Sequence, residues 1–130
     1  MDRWYNYVES IESLKSIYGE DIPSLKEIKV KEIIFYQDGP RIVSKIDLPV
    51  LPKSLPVKWK AKGYNTISIE LQFIEISKLS FIDWKLINRC SVEILKKSEI
   101  LHVTFSGDIT LNLECKWLHV NSISAYENLD

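Results

Sequence analysis

A strand with one buried face is the feature that most constrains the fold of this chain. Between positions 67 and 73, apolar residues occupy every second place, at Ile67, Ile69, Leu71 and Phe73. The places between them carry polar side chains: Ser68, Glu70 and Gln72. Successive side chains of a strand point to opposite faces, so the alternation predicts one apolar face in the core and one polar face in solvent. At Ile74 the alternation slips, and we expect a β-bulge there.

Short segments of the same kind, separated by turn residues, continue along the chain. They predict an antiparallel β region over about residues 26–126 rather than alternating strand and helix units. The sequence Asp38-Gly39-Pro40 predicts a tight hairpin turn between strands over residues 27–37 and 41–48. Further strands are expected over residues 79–85, 87–96, 100–106, 109–116 and 117–126.

The N-terminal segment has the periodicity of a helix instead. Apolar residues recur at helical spacing from Trp4 to Tyr18. We therefore predict one amphipathic helix over about residues 3–18, with Asp2 as its N-cap and Gly19 just past its end. An isolated helix of this length is marginal in water, so its apolar face is expected to pack on the sheet. No second helix is expected.

Residues 49–63 form a segment rich in proline and lysine. Three prolines fall within eight residues, at Pro49, Pro52 and Pro56, and they prevent regular strand pairing. Four lysines and no acidic residue surround Trp59. We predict an ordered loop that is the one locally basic, aromatic segment of the chain.

These elements together predict a mainly β fold of the α+β type. About eight antiparallel strands and one N-terminal helix can form a curled sheet, a sandwich or a partly open barrel, and we favour the first two. A chain of 130 residues is expected to be a single domain, 1–130, with a sizeable core.

Charge and cysteine content limit the classes of function. Seventeen basic and eighteen acidic side chains make the protein nearly neutral, which gives no general electrostatic reason to expect nucleic acid or an anionic membrane as a partner. No apolar run approaches the roughly 18 residues of a membrane helix, and the start lacks the apolar core of a secretory signal. We therefore expect a cytoplasmic protein, in which Cys90 and Cys115 are free thiols within strands.

The common enzyme motifs are missing from the sequence, and we expect neither catalysis nor a cofactor. There is no phosphate-binding loop, dinucleotide fingerprint, nucleophile elbow or zincin motif. A metal site built from Cys90, His102, Cys115 and His119 would lack the closely paired ligands of a zinc site. Glu70 and Glu114 fall on the polar face of their strands, where exposure to solvent is the ordinary explanation.

The four tryptophans have two interpretations each. Trp59 among lysines could stack on single-stranded nucleic acid, but one tryptophan is not a platform, and we expect it to be anchored in the core. Trp4, Trp84 and Trp117 are expected to pack in the core or between helix and sheet. Exposed interface anchors are the alternative for these three.

The order of several landmarks resembles the immunity protein 50 family of bacterial polymorphic-toxin systems. These landmarks are Tyr18-Gly19, Ile22-Pro23-Ser24-Leu25, Asp38-Gly39-Pro40, Asp47-Leu48-Pro49, Pro56 followed by Trp59, Asn65 into Leu71-x-Phe73, Trp84, Cys115 and Ile123-Ser124-Ala125-Tyr126. The resemblance implies a cytosolic antidote that binds a cognate toxin, encoded by a neighbouring gene, and blocks it without catalysis. It supplies no catalytic residue.

Three surfaces are candidates for binding such a partner. They are the hairpin tip at Asp38, the basic loop with Lys58, Trp59 and Lys60, and the polar strand face of Ser68, Glu70 and Gln72. We rank the tip and the loop first, since loops on a rigid sheet commonly carry recognition. The chain itself is expected to be a monomer or a weak homodimer. The alternative function is a β-barrel carrier of a small molecule, for which the strand count is suitable.

Overall fold

The computed structural model describes residues 3–129, so the predicted N-cap Asp2 lies outside the described residues. Eight strands form one antiparallel sheet that is not closed, in the order β4-β7-β6-β5-β1-β2-β3-β8. The strands are β1 (Ile28–Tyr36), β2 (Arg41–Asp47), β3 (Thr66–Ile74), β4 (Lys78–Ile82), β5 (Asn88–Lys97), β6 (Ile100–Gly107), β7 (Thr110–Cys115) and β8 (Trp117–Tyr126). The mainly β fold with an N-terminal helix is thus confirmed, and the open sheet excludes a closed barrel.

The sheet curls until strands from its two ends meet at one corner. Residues 75–77 connect β3 to β4, and Lys116 alone connects β7 to β8, although these strands lie far apart in the sheet order. Backbone hydrogen bonds fix the corner: the Lys116 amide donates to the Ile74 carbonyl at 3.0 Å, and the Ser77 amide to the Glu114 carbonyl at 2.9 Å. The curled sheet therefore forms two facing layers, β4-β7-β6-β5 and β1-β2-β3-β8.

The core fills the space between these layers. The alternation predicted for β3 is confirmed, because Ile67, Ile69, Leu71 and Phe73 are all buried. The ring of Phe73 lies edge-on to that of Phe105 on β6, with the ring centres 6.2 Å apart. Aromatic contact of this kind joins the two layers across the core.

The prediction of a β-bulge at Ile74 is wrong. β3 ends at Ile74, and Glu75 then adopts a positive φ of 61° that turns the chain toward β4. A shift in register does occur between β3 and β8, where Glu70 pairs with Ser122 and Leu71 with Val120. Asn121 is therefore the extra residue, and the bulge lies on the neighbouring strand.

The single helix expected over residues 3–18 is interrupted. A 3-10 turn, Trp4–Tyr7, precedes the helix α1, Glu12–Tyr18. Between them Val8 forms a parallel bridge with Leu118, and the Glu9 amide donates to the Leu118 carbonyl at 3.0 Å. This bridge requires extended backbone, so the helix cannot continue through it. Trp4 is nevertheless fully buried, as expected, and its indole N–H donates to the Pro23 carbonyl at 2.9 Å.

A second helix, α2 (Val57–Ala61), lies in the segment predicted to be a loop. The Pro56 carbonyl accepts hydrogen bonds at 3.0 Å from the amides of Trp59 and Lys60. Proline is well suited to the start of a helix because its φ is already close to the helical value. One turn is too short to show an apolar period in the sequence. Among the described residues, neither helix has the length and hydropathy to cross a bilayer.

Candidate partner-binding surface

Three exposed aromatic rings cluster where the two layers meet at the end of the β1–β2 hairpin. The ring centre of Phe35 on β1 lies 5.8 Å from that of Phe81 on β4, which lies 6.2 Å from that of Trp84. Phe35 pairs in register with Ile42, which is fully buried, so both side chains lie on the core face of the sheet. Phe35 is nevertheless exposed, because it lies at the edge of that face. The rings therefore form an apolar surface that solvent can reach.

A second row of large side chains crosses the outer face of the sheet at the same end. Tyr36, Arg41, Ile74 and Trp117 are directly paired across β1, β2, β3 and β8. Side chains in such register lie on one face, close enough to contact their neighbours. The guanidinium carbon of Arg41 lies 4.0 Å from the centre of the Tyr36 ring, a cation–π contact. Strand pairing therefore fixes this row before any partner arrives.

We call the two groups together the aromatic end: Phe35, Tyr36, Arg41, Phe81, Trp84 and Trp117. Its five aromatic residues are each between 38% and 51% exposed. Because an aromatic side chain presents about 150–250 Å², they expose on the order of 400 Å² together. Further apolar residues adjoin them in β4 and in the segment that follows it: Leu79, Ile82, Leu86 and Ile87. Exposed apolar area of this extent at one end of a monomer is often functional, and Trp, Tyr and Arg are the types enriched at binding hot spots.

The charges around the aromatic end are of both signs. Exposed acids and bases lie in the segments that form it and adjoin it: Asp38, Glu75, Asp83, Lys78, Lys85 and Lys116. The Lys116 ammonium lies 5.7 Å from the centre of the Trp117 ring. This surface therefore presents apolar area within a mixed polar rim, which is the usual anatomy of a protein interface.

Two of the three predicted surfaces lie at opposite ends of the molecule. Asp38 is exposed at the hairpin tip beside the aromatic end, and its carbonyl accepts from the Arg41 guanidinium at 3.4 Å. Lys58, Trp59 and Lys60 belong to α2, which precedes the other end of β3. With about 3.3 Å per residue, the length of β3 separates the two regions by roughly 26 Å. Trp59 is half-buried against the core, and both lysines are exposed.

The prediction that Ser68 faces solvent is wrong. Ser68 is 1% exposed, and its hydroxyl donates to the Ile46 carbonyl at 3.1 Å. The Tyr126 hydroxyl on β8 donates to the Asp47 carboxylate on β2, so the tyrosine side chain crosses β3 above this position. Sequence alternation gives the face of a residue but not what neighbouring strands lay over it.

The rest of the polar face of β3 is half-buried. Glu70 is partly covered, as is Gln72, whose amide oxygen accepts from the Asn121 amide at 2.7 Å. Both side chains lie near the middle of a central strand, between the aromatic end and α2. The structure therefore does not unite this face with either of the other predicted surfaces.

Two tryptophans expected in the core are exposed instead. Trp84 is 51% exposed and Trp117 is 39% exposed, so the alternative interpretation as surface anchors fits both. Trp84 follows the end of β4, after Asp83 has taken a positive φ of 68°. The run from Phe81 to Ile87 has no regular apolar period, so the sequence held no signal for the direction of this indole.

One hollow of the surface brings a carboxylate close to basic side chains. A hollow of about 610 Å³ lies on the outer face of β4, β7 and β6, where the Glu114 carboxylate is 3.8 Å from both Lys78 Nζ and His102 Nδ1. Glu114 is the one acid among the residues that line it, so paired acid–base chemistry has no second carboxylate. Within residues 3–129, His, Cys, Asp and Glu side chains form no group of three or more that could hold a metal ion.

Comparison with known proteins gives one family match. The family model described as Immunity protein 50 matches residues 11–126, which is most of the chain. No curated protein and no solved structure matches significantly.

Proposed function

The chain belongs to the immunity protein 50 family, and from this we propose that it binds a cognate bacterial toxin domain and neutralises it by occlusion. The family suggests a non-catalytic role and implies a toxin as partner. The toxin is the product of a neighbouring gene in this proposal. The aromatic end is the surface that makes the contact.

One observation supports the choice of surface. Two tryptophans and a tyrosine are exposed at one end of the sheet, and the half-buried Arg41 lies against the tyrosine ring. A standard interface takes about 800 Å² from each partner, and the aromatic side chains alone present about half of that area. Because strand register holds Tyr36, Arg41 and Trp117 in place, little conformational entropy is lost when a partner covers them.

A small-molecule carrier is less well supported. A carrier encloses a cavity, typically of about 300–1,000 Å³, that buries most of its ligand. Between the layers the space is instead occupied by buried side chains, among them Phe73 and Phe105. The hollow of about 610 Å³ is lined by outward-facing residues such as Lys78 and His102.

Co-expression with each neighbouring-gene product tests the proposal. We expect the wild-type chain to restore growth and to co-purify with one of these products. The double variant Trp84→Ala/Trp117→Ala is expected to lose rescue, with an affinity lower by about 100-fold or more, because truncated hot-spot residues cost about 2 kcal/mol or more each. The matched control is Lys58→Ala/Lys60→Ala on α2, which is expected to rescue like the wild type.

Melting temperatures of both variants show whether the fold is retained. If the tryptophan variant rescues growth and the α2 variant does not, the toxin binds the basic segment rather than the aromatic end. Absence of both rescue and complex with every neighbouring product would reject the function itself.

A further inference from the structure

We propose that β4 receives an extended segment of the toxin as a ninth strand of the sheet, so that backbone pairing as well as side-chain contact holds the complex. This inference rests on the proposed function and adds to it the manner of recognition. Strand addition of this kind supplies affinity through main-chain hydrogen bonds and specificity through alternate side chains.

The outer edge of β4 is unoccupied in the described part of the chain. β4 is the terminal strand of the sheet and pairs with β7 through Lys78 to Ile82. Within residues 3–129, no backbone hydrogen bond joins β4 to any element other than β7. Every second residue of an edge strand directs its N–H and C=O groups outward, and another extended backbone matches both groups in register.

The opposite edge of the sheet is protected, and the contrast is informative. β8 carries a bulge at Asn121, and its first residues are covered by the bridge from Val8 to Leu118. Bulges and covering segments are the usual ways in which proteins prevent unwanted pairing at an edge. Within residues 3–129, β4 has neither a bulge nor a covering segment, and all five of its residues are exposed.

The side chains of β4 define what the incoming strand must look like. Leu79 and Phe81 pair with the buried residues Leu113 and Leu111, so they lie on the inner side of the layer. Lys78, Ser80 and Ile82 alternate with them on the outer side. The complementary segment is therefore about five residues long, spans roughly 17 Å, and carries apolar side chains at alternate positions against Leu79 and Phe81.

The area that a strand on β4 and the aromatic end would bury together is close to that of a stable interface. The aromatic end provides on the order of 400 Å² and is continuous with β4 through Phe81 and Trp84. A strand laid on β4 covers Leu79 and Ile82 as well, which brings the total toward the roughly 800 Å² that one partner contributes to a stable interface. The short length of β4 and the charge of Lys78 oppose indiscriminate pairing, so the site favours one selected partner.

Amide hydrogen exchange in the co-purified complex with the neighbouring-gene toxin tests this inference. We expect the amides of residues 78–82 that point away from β7 to exchange at least tenfold more slowly in the complex than in the free chain. The amides of α2, at the far end of β3, serve as the internal reference and are expected to exchange at the same rate in both states.

Proline variants add a test in solution. Leu79→Pro and Ser80→Pro each remove one backbone donor, and because neighbouring donors alternate in direction, one of the two removes a donor that points outward. We expect the variant that keeps the wild-type melting temperature to bind the toxin at least tenfold more weakly. The exchange measurement stands independently if both variants fail to fold.

Each outcome separates the two proposals. A stable complex in which β4 amides exchange as in the free chain would overturn strand addition and leave the proposed function intact. Failure to form a complex with any neighbouring product would overturn both. A dimer of the free chain that both proline variants abolish would show that β4 pairs with a second copy, which also overturns the inference.

Discussion

Three ionisable side chains in the interior act as neutral packing groups. Burial raises the pKa of Cys115 to about 12, against a lesser opposing effect of backbone hydrogen bonding at Trp117. Burial, followed by the charge of Asp108, raises the pKa of Cys90 to about 11. Burial also raises the pKa of Tyr18, whose hydroxyl donates to the Val50 carbonyl at 2.8 Å. A desolvated thiol or phenol favours its uncharged form, so all three contribute apolar volume rather than reactivity.

These raised pKa values lead us to expect a loss of stability at alkaline pH. The thiols ionise near their ordinary pKa of 9.0 in the unfolded chain but only near 11 and 12 when folded. Above pH 9 the unfolded state therefore binds fewer protons, and the free energy of unfolding falls as pH rises. The stabilisation is fully present below pH 9 and is lost toward pH 12, with a slope of at most about 1.4 kcal/mol per pH unit for each thiol.

Urea unfolding at a series of pH values from 8 to 11 measures this slope. The variant Cys115→Ala is the control, because it removes one of the groups and is expected to flatten the decline even if its stability at pH 8 is lower. A free energy of unfolding that is equal at pH 8 and pH 11 in the wild-type chain would contradict the expectation.

At the scale of single elements, the pairing of β5 with β6 leaves no room for a side chain at Gly107, the last residue of β6. Gly107 pairs with Cys90, next to the three-residue pairing of β1 with β5 that makes the two layers continuous. Its φ is 148°, and an added Cβ would lie 2.5 Å from the Arg89 carbonyl oxygen and 2.7 Å from the Cys90 Cα. These are backbone atoms of β5, which cannot move aside without disturbing its pairing with β6.

We therefore expect Gly107→Ala to be more destabilising than Gly39→Ala. Gly39 also has a positive φ, 58°, but an added Cβ would meet no atom within 4 Å at the hairpin tip. In Gly39→Ala the free energy of unfolding falls by about 1–2 kcal/mol, which is the conformational cost alone. In Gly107→Ala the steric clash lowers it by about 1–3 kcal/mol more. Midpoints of urea unfolding compare the two, and equal midpoints would show that the β5–β6 junction relaxes without cost.

The strands could be predicted because each depends mainly on local pattern. Alternation in β3, β6 and β7 reports which face is buried, and the Asp38-Gly39-Pro40 turn fixes the hairpin of β1 and β2. These signals lie within about ten residues of one another in the sequence. For the same reason they give strand positions and buried faces but not the sheet order, in which β4 and β8 become the two edges.

The predictions that failed depend on contacts between distant residues. The N-terminal helix is broken because Val8 pairs with Leu118, more than a hundred positions away. Ser68 is buried because Tyr126 crosses it to reach Asp47. Trp117 is exposed at the corner where β7 turns into β8, and Trp84 lies beyond the other end of β4, which is an edge strand of the sheet. No local pattern carries this information, so the sequence offered Trp84 and Trp117 as interface anchors only in the alternative interpretation, and proposed Asp38 beside them as a binding residue.

At the scale of the whole molecule, the charge distribution bears on how a partner would be recognised. The net charge is −1, with seventeen basic and eighteen acidic side chains. Ion pairs on the surface are local, such as Lys53 with Asp21 at 3.2 Å, and the aromatic end is bordered by both signs. A surface of this kind produces no strong field of one sign, so it gives little long-range attraction to a charged partner.

Binding of the toxin is accordingly expected to be nearly insensitive to salt. Electrostatic steering can raise association rates by 10-fold to 1,000-fold, and that gain disappears at high ionic strength. For this chain we expect the association rate constant to change by less than about threefold between 50 mM and 500 mM NaCl, as measured by surface plasmon resonance with the co-purified toxin. Trp84→Ala is the comparison variant and is expected to raise the dissociation rate at both salt concentrations, because it removes apolar contact area. A fall of tenfold or more in the association rate at high salt would instead mean that charged residues guide the encounter, which would contradict the expectation.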